Sequence, residues 1–113
     1  MGVVIGDLMV TDSGIIEAGS YKAGAVLGKV TDTGILKLSA TKDGNGDAIT
    51  DGSEKPYAIL LEDVVTDTQK SVPILLLGEV DKNQLSFGNG WDLESVVRAL
   101  RDISIFAKGV VNG

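Results

Sequence analysis

The residues with the clearest chemical pattern are acidic and lie in a glycine-rich stretch, positions 41–54. Side-chain oxygens recur there at places one, three, five, nine and twelve of a twelve-residue window. They belong to Asp43, Asn45, Asp47, Asp51 and Glu54. An EF-hand loop takes calcium ligands from these places, but it needs glycine at the sixth, where this chain has Ala48, and flanking helices, which the pattern lacks. The sequence leaves calcium binding open beside the commoner alternative, a solvated turn.

Two pairs of neighbouring carboxylates could in principle carry out acid–base chemistry. Glu62 and Asp63 follow a predicted strand, in which adjacent side chains point to opposite faces and cannot converge. Asp92 and Glu94 are better explained as the cap and first turn of a helix. The chain has no histidine and no cysteine, which excludes Ser–His and Cys–His catalysis and disulfide bonds. We therefore expect no enzymatic activity and no cofactor, with carboxylate or metal chemistry as a minor alternative.

Composition favours one small domain that acts by binding. The 113 residues include 16 acidic and 10 basic side chains, a net charge of −6, which argues against nucleic acid or an anionic membrane as partner. No apolar run reaches the ~18 residues of a membrane span, and Met1–Ile5 lacks the basic start of a signal peptide. We expect a soluble protein made in a cytoplasm. With 43% hydrophobic residues, it should bury some of them between subunits.

Short apolar runs between glycine-rich turns predict many short strands. The strands on either side of Thr31–Gly34 are expected to form a hairpin. A turn is predicted at Thr11–Ser13, before the short apolar run that follows it. The apolar strand 72–77 is expected to start at Pro73 or to lie at a sheet edge, because proline cannot donate a ladder hydrogen bond. A bulge is predicted at Gly78–Val80.

One helix is predicted, near Asp92–Asp102. Asp92 is a suitable N-cap, and Glu94 and Arg98 have the i, i+4 spacing of an ion pair. An apolar stripe at i, i+3, i+4 and i+7 is formed by Leu93, Val96, Val97 and Leu100. Ile103–Phe106 then alternates like a strand. The expected fold is mainly β (a β-rich α+β class), a compact small barrel-like or sandwich-like domain with this one short helix.

Four further residues are candidates for contacts between subunits or with a partner protein. Phe87 and Trp91 flank a glycine-rich loop, and aromatic side chains are enriched in interface hot spots, although both could equally fill the core beside the helix. Arg98 and Arg101 share one side of the predicted helix. They form either a solvated face or an inter-subunit pair with the acidic middle of the chain.

Several motifs follow one another in an order typical of one protein family. They are Gly6–Val10, Ala18–Gly19, Ala23–Val30, Asp51–Ser53, Pro56–Leu60, Glu62–Val64, Val72–Val80 and Leu100–Phe106. In their order and spacing the chain resembles the head decoration proteins of tailed bacteriophages, from about Gly6 to Val111. It departs from them after Leu100–Arg101, where Asp102–Ser104 stands in place of the usual Gly-Ile pair.

The resemblance implies homotrimers at threefold positions on the outer surface of an expanded phage capsid, where they resist the pressure of packaged DNA. The implied partner is the major capsid protein, the implied location is the virion, and no cofactor is implied. The N-terminal segment is expected to add a strand to a capsid-protein sheet, as an apolar β-branched run can. Its candidate residues are Val3, Val4, Ile5, Leu8, Met9 and Val10. We accordingly expect a capsid-binding segment at 1–12 and a single decoration domain at 13–113.

A carrier module of the lipoyl or biotinyl type is the alternative from a different functional class. Such a module needs an attachment lysine at a hairpin tip, and the hairpins between Ala18 and Ile35 invite the comparison. The lysines near them, Lys29, Lys37 and Lys42, lack the sequence setting of an attachment site. An added cofactor mass on one of these lysines would favour this alternative.

Overall fold

The computed structural model of the protein describes residues 9–109, and most of them belong to a β-rich domain with one α-helix. The elements in chain order are β1 (Val10–Ile16), β2 (Gly19–Tyr21), β3 (Val26–Lys29), β4 (Leu36–Leu38), β5 (Pro56–Leu60), β6 (Val64–Thr66), β7 (Lys70–Asp81), a 3-10 helix (Lys82–Gln84), α1 (Leu93–Arg101) and β8 (Ile105–Lys108). This content confirms the predicted mainly β class with one short helix.

Five of the strands close into a small barrel. Their order is β1-β4-β3-β5-β7, and β7 returns to pair with β1. The predicted hairpin is confirmed, since β3 and β4 are antiparallel neighbours joined through the turn at Thr31–Gly34. The β1–β4 contact is the one parallel junction, made by the single pair Ile16 and Leu36. Closure removes the free strand edges that an open sheet of this size would expose.

Strand β1 is longer than the sequence suggests. The turn predicted at Thr11–Ser13 is wrong, because these residues lie within β1 and pair with β7 from Val10↔Leu77 to Ile16↔Lys70. Their polar side chains are exposed, so the local sequence looks like a turn while tertiary pairing holds it extended. Strand β1 thus begins inside the predicted N-terminal segment 1–12, of which residues 1–8 lie outside the described range.

Strand β7 is central, which makes the expectation for Pro73 wrong. It begins three residues earlier, at Lys70, and pairs with β1, β5 and β8. The carbonyl oxygen of Pro73 accepts a hydrogen bond from the amide of Leu61, one residue beyond the end of β5. The two backbone groups of a strand residue face the same side, so the missing N–H of Pro73 falls where β5 has already ended. The register shift opposite β1 leaves Leu76 as the extra residue, so the bulge lies before the predicted Gly78–Val80.

Two apolar clusters lie on opposite faces of the same strands. The first contains side chains from all five barrel strands and fills the barrel. Its members are Ile16, Ala25, Leu27, Leu36, Ala58, Leu60, Val64, Val72 and Ile74. The second lies outside β3, β5 and β7, beneath α1 and β8. Its members are Val26, Ile59, Leu75, Val80, Val96, Leu100 and Ile105. Because both faces are covered, these strands read as continuous apolar runs.

Helix α1 confirms the predicted helix and its cap. The Asp92 side chain accepts the amide hydrogen of Ser95 at 2.7 Å, and the Ser95 hydroxyl accepts the amide of Asp92, a reciprocal capping box. Three backbone bonds extend a turn past the helix, to Ser104, which has a positive φ of 66°. Strand β8 therefore starts at Ile105, two residues later than predicted, and runs parallel to β7.

Candidate interaction surface

The acidic stretch folds into a closed turn rather than an open ligand cage. One carboxylate oxygen of Asp43 accepts the amides of Asn45 at 2.8 Å and Asp47 at 3.0 Å, and the Asp43 amide donates to the Asp47 carbonyl. The base of the turn is a bridge between Lys42 and Ala48. Backbone amides thus engage one of the two Asp43 carboxylate oxygens in holding the turn.

Asp51 and Glu54 belong to a second, separate turn. The Ser53 hydroxyl and the Ser53 amide both donate to Asp51, and Lys37 lies 3.1 Å from its other oxygen. The Ser53 hydrogen bonds, with the nearby Lys37 cation, lower the pKa of Asp51 to about 2. Glu54 accepts the amide of Gly52 at 2.7 Å. Among residues 9–109 no group of three or more acidic side chains is placed to hold a metal ion.

The two carboxylate pairs considered for acid–base chemistry, Glu62–Asp63 and Asp92–Glu94, include side chains that bind backbone amides or a neighbouring arginine. Asp63 accepts the amide of Ala23 at 2.8 Å, which ties the segment after β5 to the loop before β3. Asp92 caps α1, and hydrogen bonds from Ser95 lower its pKa. Glu94 pairs with Arg98 at 3.2 Å, as the i, i+4 spacing predicts. Asp63, Asp92 and Glu94 thus have structural partners that account for their positions.

Trp91 and Phe87 pack against the second core cluster and are partly buried. The Trp91 indole N–H donates to the hydroxyl of Ser39 at 3.2 Å, and that buried hydroxyl donates to the Ser53 carbonyl at 2.9 Å. This chain of contacts joins the loop before α1 to the segment after β4 and to the second acidic turn. Of the two alternatives for these aromatics, filling the core beside the helix describes their position here.

A groove of about 600 Å³ runs between α1 and β8. Its apolar lining comes from Leu93, Val97 and Ala107, and its polar lining from Lys82, Glu94, Arg98 and Arg101. Leu93 is 40% exposed and Val97 half-buried, while Val96 and Leu100 from the same predicted stripe are fully buried. The barrel therefore covers only part of the apolar face of α1, and the remainder forms the floor of the groove.

The groove is cationic on a chain that is acidic overall. Three basic side chains and one acidic side chain line it. The Arg98–Glu94 pair is solvent-exposed, with 70% and 86% of the side-chain areas accessible, and such pairs contribute little to stability. Arg98 is thus free to exchange Glu94 for another anion at small cost. The structure brings the predicted residues Arg98 and Arg101 together here.

The described end of the predicted capsid-binding segment is exposed and apolar. Met9 and Val10 are each 48% exposed, and Val10 lies opposite Leu77 at the start of the β1–β7 ladder. The other candidates in this segment, Val3, Val4, Ile5 and Leu8, lie outside the described residues. Met9 and Val10 thus lie at the surface where β1 begins.

Two of the lysines considered for carrier chemistry have neighbours in the fold. The Lys29 ammonium lies 4.9 Å from the centre of the Tyr57 ring, and Lys37 pairs with Asp51. Lys42 lies at the base of the first acidic turn.

Sequence reasoning did not single out Lys82 or Ala107, and it placed Leu93 and Val97 in one apolar stripe with Val96 and Leu100. The sequence carries a partial signal of this exposure. A nine-residue helix with four apolar positions can leave some of them exposed when it packs on a narrow barrel. Lys82 and Ala107 lie next to α1 only because β7 and β8 pair in parallel.

Comparison with protein-family models matches residues 6–105 to the family described as Bacteriophage lambda head decoration protein D. The match covers all of the barrel and all of α1. A comparison with curated proteins finds no match. No helix within residues 9–109 has the length and apolar character to cross a membrane. Because this match spans most of its length, the chain belongs to the bacteriophage lambda head decoration protein D family.

Proposed function

We propose that this protein forms homotrimers at threefold sites on the outer surface of an expanded phage capsid and stabilises the shell against the pressure of packaged DNA. The observation that carries the proposal is the family match over residues 6–105. The family has a structural role in the phage head, and the expected absence of enzymatic activity agrees with it. Many weak clamps acting together on one shell make each attachment effectively tight.

The N-terminal segment is the proposed capsid-binding element. Val3, Val4, Ile5, Leu8, Met9 and Val10 supply the apolar residues of a strand that would join a sheet of the major capsid protein. In such β-augmentation the main-chain hydrogen bonds supply affinity, and alternate side chains supply specificity. Support comes from the start of β1, where Met9 and Val10 are exposed and Val10 lies opposite Leu77 of β7.

Exposed apolar side chains on the described surface support assembly into oligomers. Ile15 and Phe106 are each more than 40% exposed, and Val65 is 80% exposed. Arg98 and Arg101 remain proposed contact residues because both are accessible and line the same groove. Phe87 and Trp91 are weaker candidates, since their rings already pack against the second core cluster.

Binding to phage heads tests the proposal directly. The full chain should co-sediment with expanded heads and not with unexpanded ones, and light scattering of the released protein should give the mass of a trimer. A chain lacking residues 1–8 keeps every described strand, so it should fold normally and yet fail to bind heads. Head binding that survives this deletion would remove the role of the segment. A full chain that ignores expanded heads would overturn the proposal itself.

A further inference from the structure

The groove between α1 and β8 has the features of a docking site for an acidic, compact segment. Leu93, Val97 and Ala107 form its apolar floor, and Lys82, Arg98 and Arg101 supply three positive charges. Its volume of about 600 Å³ is within the range of about 300–1,000 Å³ that holds small ligands. Within residues 9–109, Glu94 is the one acidic side chain that lines the groove, and it is already paired with Arg98.

The same chain carries a segment of complementary charge and suitable shape. Residues 43–47, here named the acidic turn, are all exposed, and Asp43 and Asp47 have no basic ion-pair partner within residues 9–109. Lys42 lies at its base. Hydrogen bonds from Asn45 and Asp47 to Asp43 fix its shape. A segment already held in one conformation loses little conformational entropy when it binds.

A ring of three copies needs two different surfaces on each copy, one to fit the other on the next copy. Identical patches facing each other close a dimer, whereas a threefold ring is built from head-to-tail contacts. This step rests on the trimer proposed above. We propose that the acidic turn of each copy occupies the α1–β8 groove of its neighbour, with Asp43 and Asp47 opposite Arg98 and Arg101.

Charge complementarity favours a second copy as the occupant. A chain with net charge −6 repels its own copies at long range, so a cationic groove is the surface on which a copy can approach. The exposed Arg98–Glu94 pair is weak, and the approaching carboxylates of the turn would replace Glu94. The contact is partly exposed and electrostatic, so added salt should weaken it.

Disulfide trapping tests the contact cleanly, because the natural chain has no cysteine. Two single-cysteine chains are prepared, Asn45→Cys in the acidic turn and Val97→Cys in the groove. The two chains are mixed in equal amounts, either bound to expanded heads or at a concentration at which light scattering gives the mass of a trimer. The mixture should form a disulfide-linked dimer at least tenfold faster than either chain alone. A mixture of Asn45→Cys with Lys22→Cys, which is exposed and outside the groove, is the control. Equal rates in the two mixtures would overturn the proposal.

Charge exchange provides a second, independent measurement. Arg98→Glu with Arg101→Glu should lower the trimer association constant at least tenfold. Adding Asp47→Lys in the same chain leaves the hydrogen bonds to Asp43 in place and should restore part of the lost association. Lys22→Glu with Lys55→Glu alters net charge equally at exposed sites outside the groove, and should leave assembly near that of the natural chain. Lack of rescue, or an equal loss in this control, contradicts the specific contact.

The outcomes separate this inference from the proposed function. Trimers that bind heads but show neither selective trapping nor rescue would leave the function standing and remove the turn-in-groove contact. Failure of the natural chain to form trimers in solution or on heads would remove both. Trapping that is selective for the Asn45–Val97 pair and stops at a closed trimer when both cysteines are in one chain would support both.

Discussion

Ser39 is the central residue in a line of polar contacts that crosses three segments of the chain. Its buried hydroxyl accepts from the Trp91 indole and donates to the carbonyl of Ser53. Gly28 lies against the same Ser53 backbone so closely that an added Cβ would collide with it. The strand β3 and the loops after β4 and before α1 are thereby packed at one point.

Replacing Ser39 with alanine should lower the free energy of unfolding by about 1–3 kcal/mol, because it leaves the indole N–H and the Ser53 carbonyl without their partner. The emission of Trp91, the only tryptophan in the chain, should shift to the red in the folded protein as its loop loosens. Urea unfolding and fluorescence spectra measure both effects. Ser71→Ala, at an exposed strand position, is the matched control and should change neither. An unchanged spectrum in Ser39→Ala would mean that the contact does not hold the loop.

Asp51 should make stability depend on acidity in a defined pH range. Hydrogen bonds from Ser53, and Lys37 beside it, lower its pKa from 3.8 to about 2 in the folded protein. A lowered pKa means that the charged form stabilises the fold above pH 3.8 and that this contribution disappears as the pH falls towards 2. The Asp51 side chain is 38% exposed, so solvent screening should hold the effect to about 1 kcal/mol or less.

The test compares urea unfolding of the natural chain and Asp51→Asn from pH 5 to pH 2. The difference between them should be largest at the upper end and shrink on acidification. Asp67→Asn, in an exposed turn, serves as the control and should follow the natural chain throughout. A difference that stays constant with pH would show that the Asp51 charge is not what the turn uses.

The apolar face of α1 includes one leucine that is buried in the core and another that is exposed in the groove. Leu100 is fully buried in the second core cluster, whereas Leu93 lies in the groove and is 40% exposed. Leu100→Ala should lower the free energy of unfolding by about 2–5 kcal/mol through lost burial and a cavity. Leu93→Ala removes the same atoms and should cost less than about 1 kcal/mol, because little area returns to water.

Chemical denaturation of the two variants measures this contrast, and the mass of the assembled protein gives the second readout. We expect Leu93→Ala to weaken trimers while its fold is retained. If both variants lost similar stability, Leu93 would belong to the core and the groove would not be an open surface.

Elements set by local pattern were predictable from the sequence, and elements set by pairing were not. Helix α1 carries its own cap and stripe, and the β3–β4 hairpin carries its own turn residues. Thr11–Ser13 became part of β1 only because β7 lies beside it, and Pro73 is tolerated because β5 ends next to it. The groove was half predictable: Arg98 and Arg101 stood out, whereas the exposure of Leu93 depends on how much of α1 the barrel can cover.

At the scale of the whole molecule, strands β3, β5 and β7 have an apolar cluster packed against each of their two faces. Along β5, Ala58 and Leu60 point into the barrel while Ile59 points to α1, and β7 alternates in the same way with Ile74 and Leu75. Both clusters use the same strand backbone, so loss of these strands would open the two clusters together. The closing β1–β7 ladder further joins one end of the described chain to its middle.

Because β3, β5 and β7 contribute to both apolar clusters, we predict a single cooperative unfolding transition. Far-ultraviolet circular dichroism follows mainly the barrel strands, and Trp91 fluorescence follows the outer cluster against which that ring packs. In urea the two signals should give one midpoint, and Leu100→Ala should move both midpoints together although Leu100 touches only the outer cluster. The matched substitution inside the barrel, Leu60→Ala, should do the same from the other face. A fluorescence transition that precedes the dichroism transition, in any of these chains, would show that α1 and β8 detach from a barrel that stands alone, and that the strands do not couple the two cores.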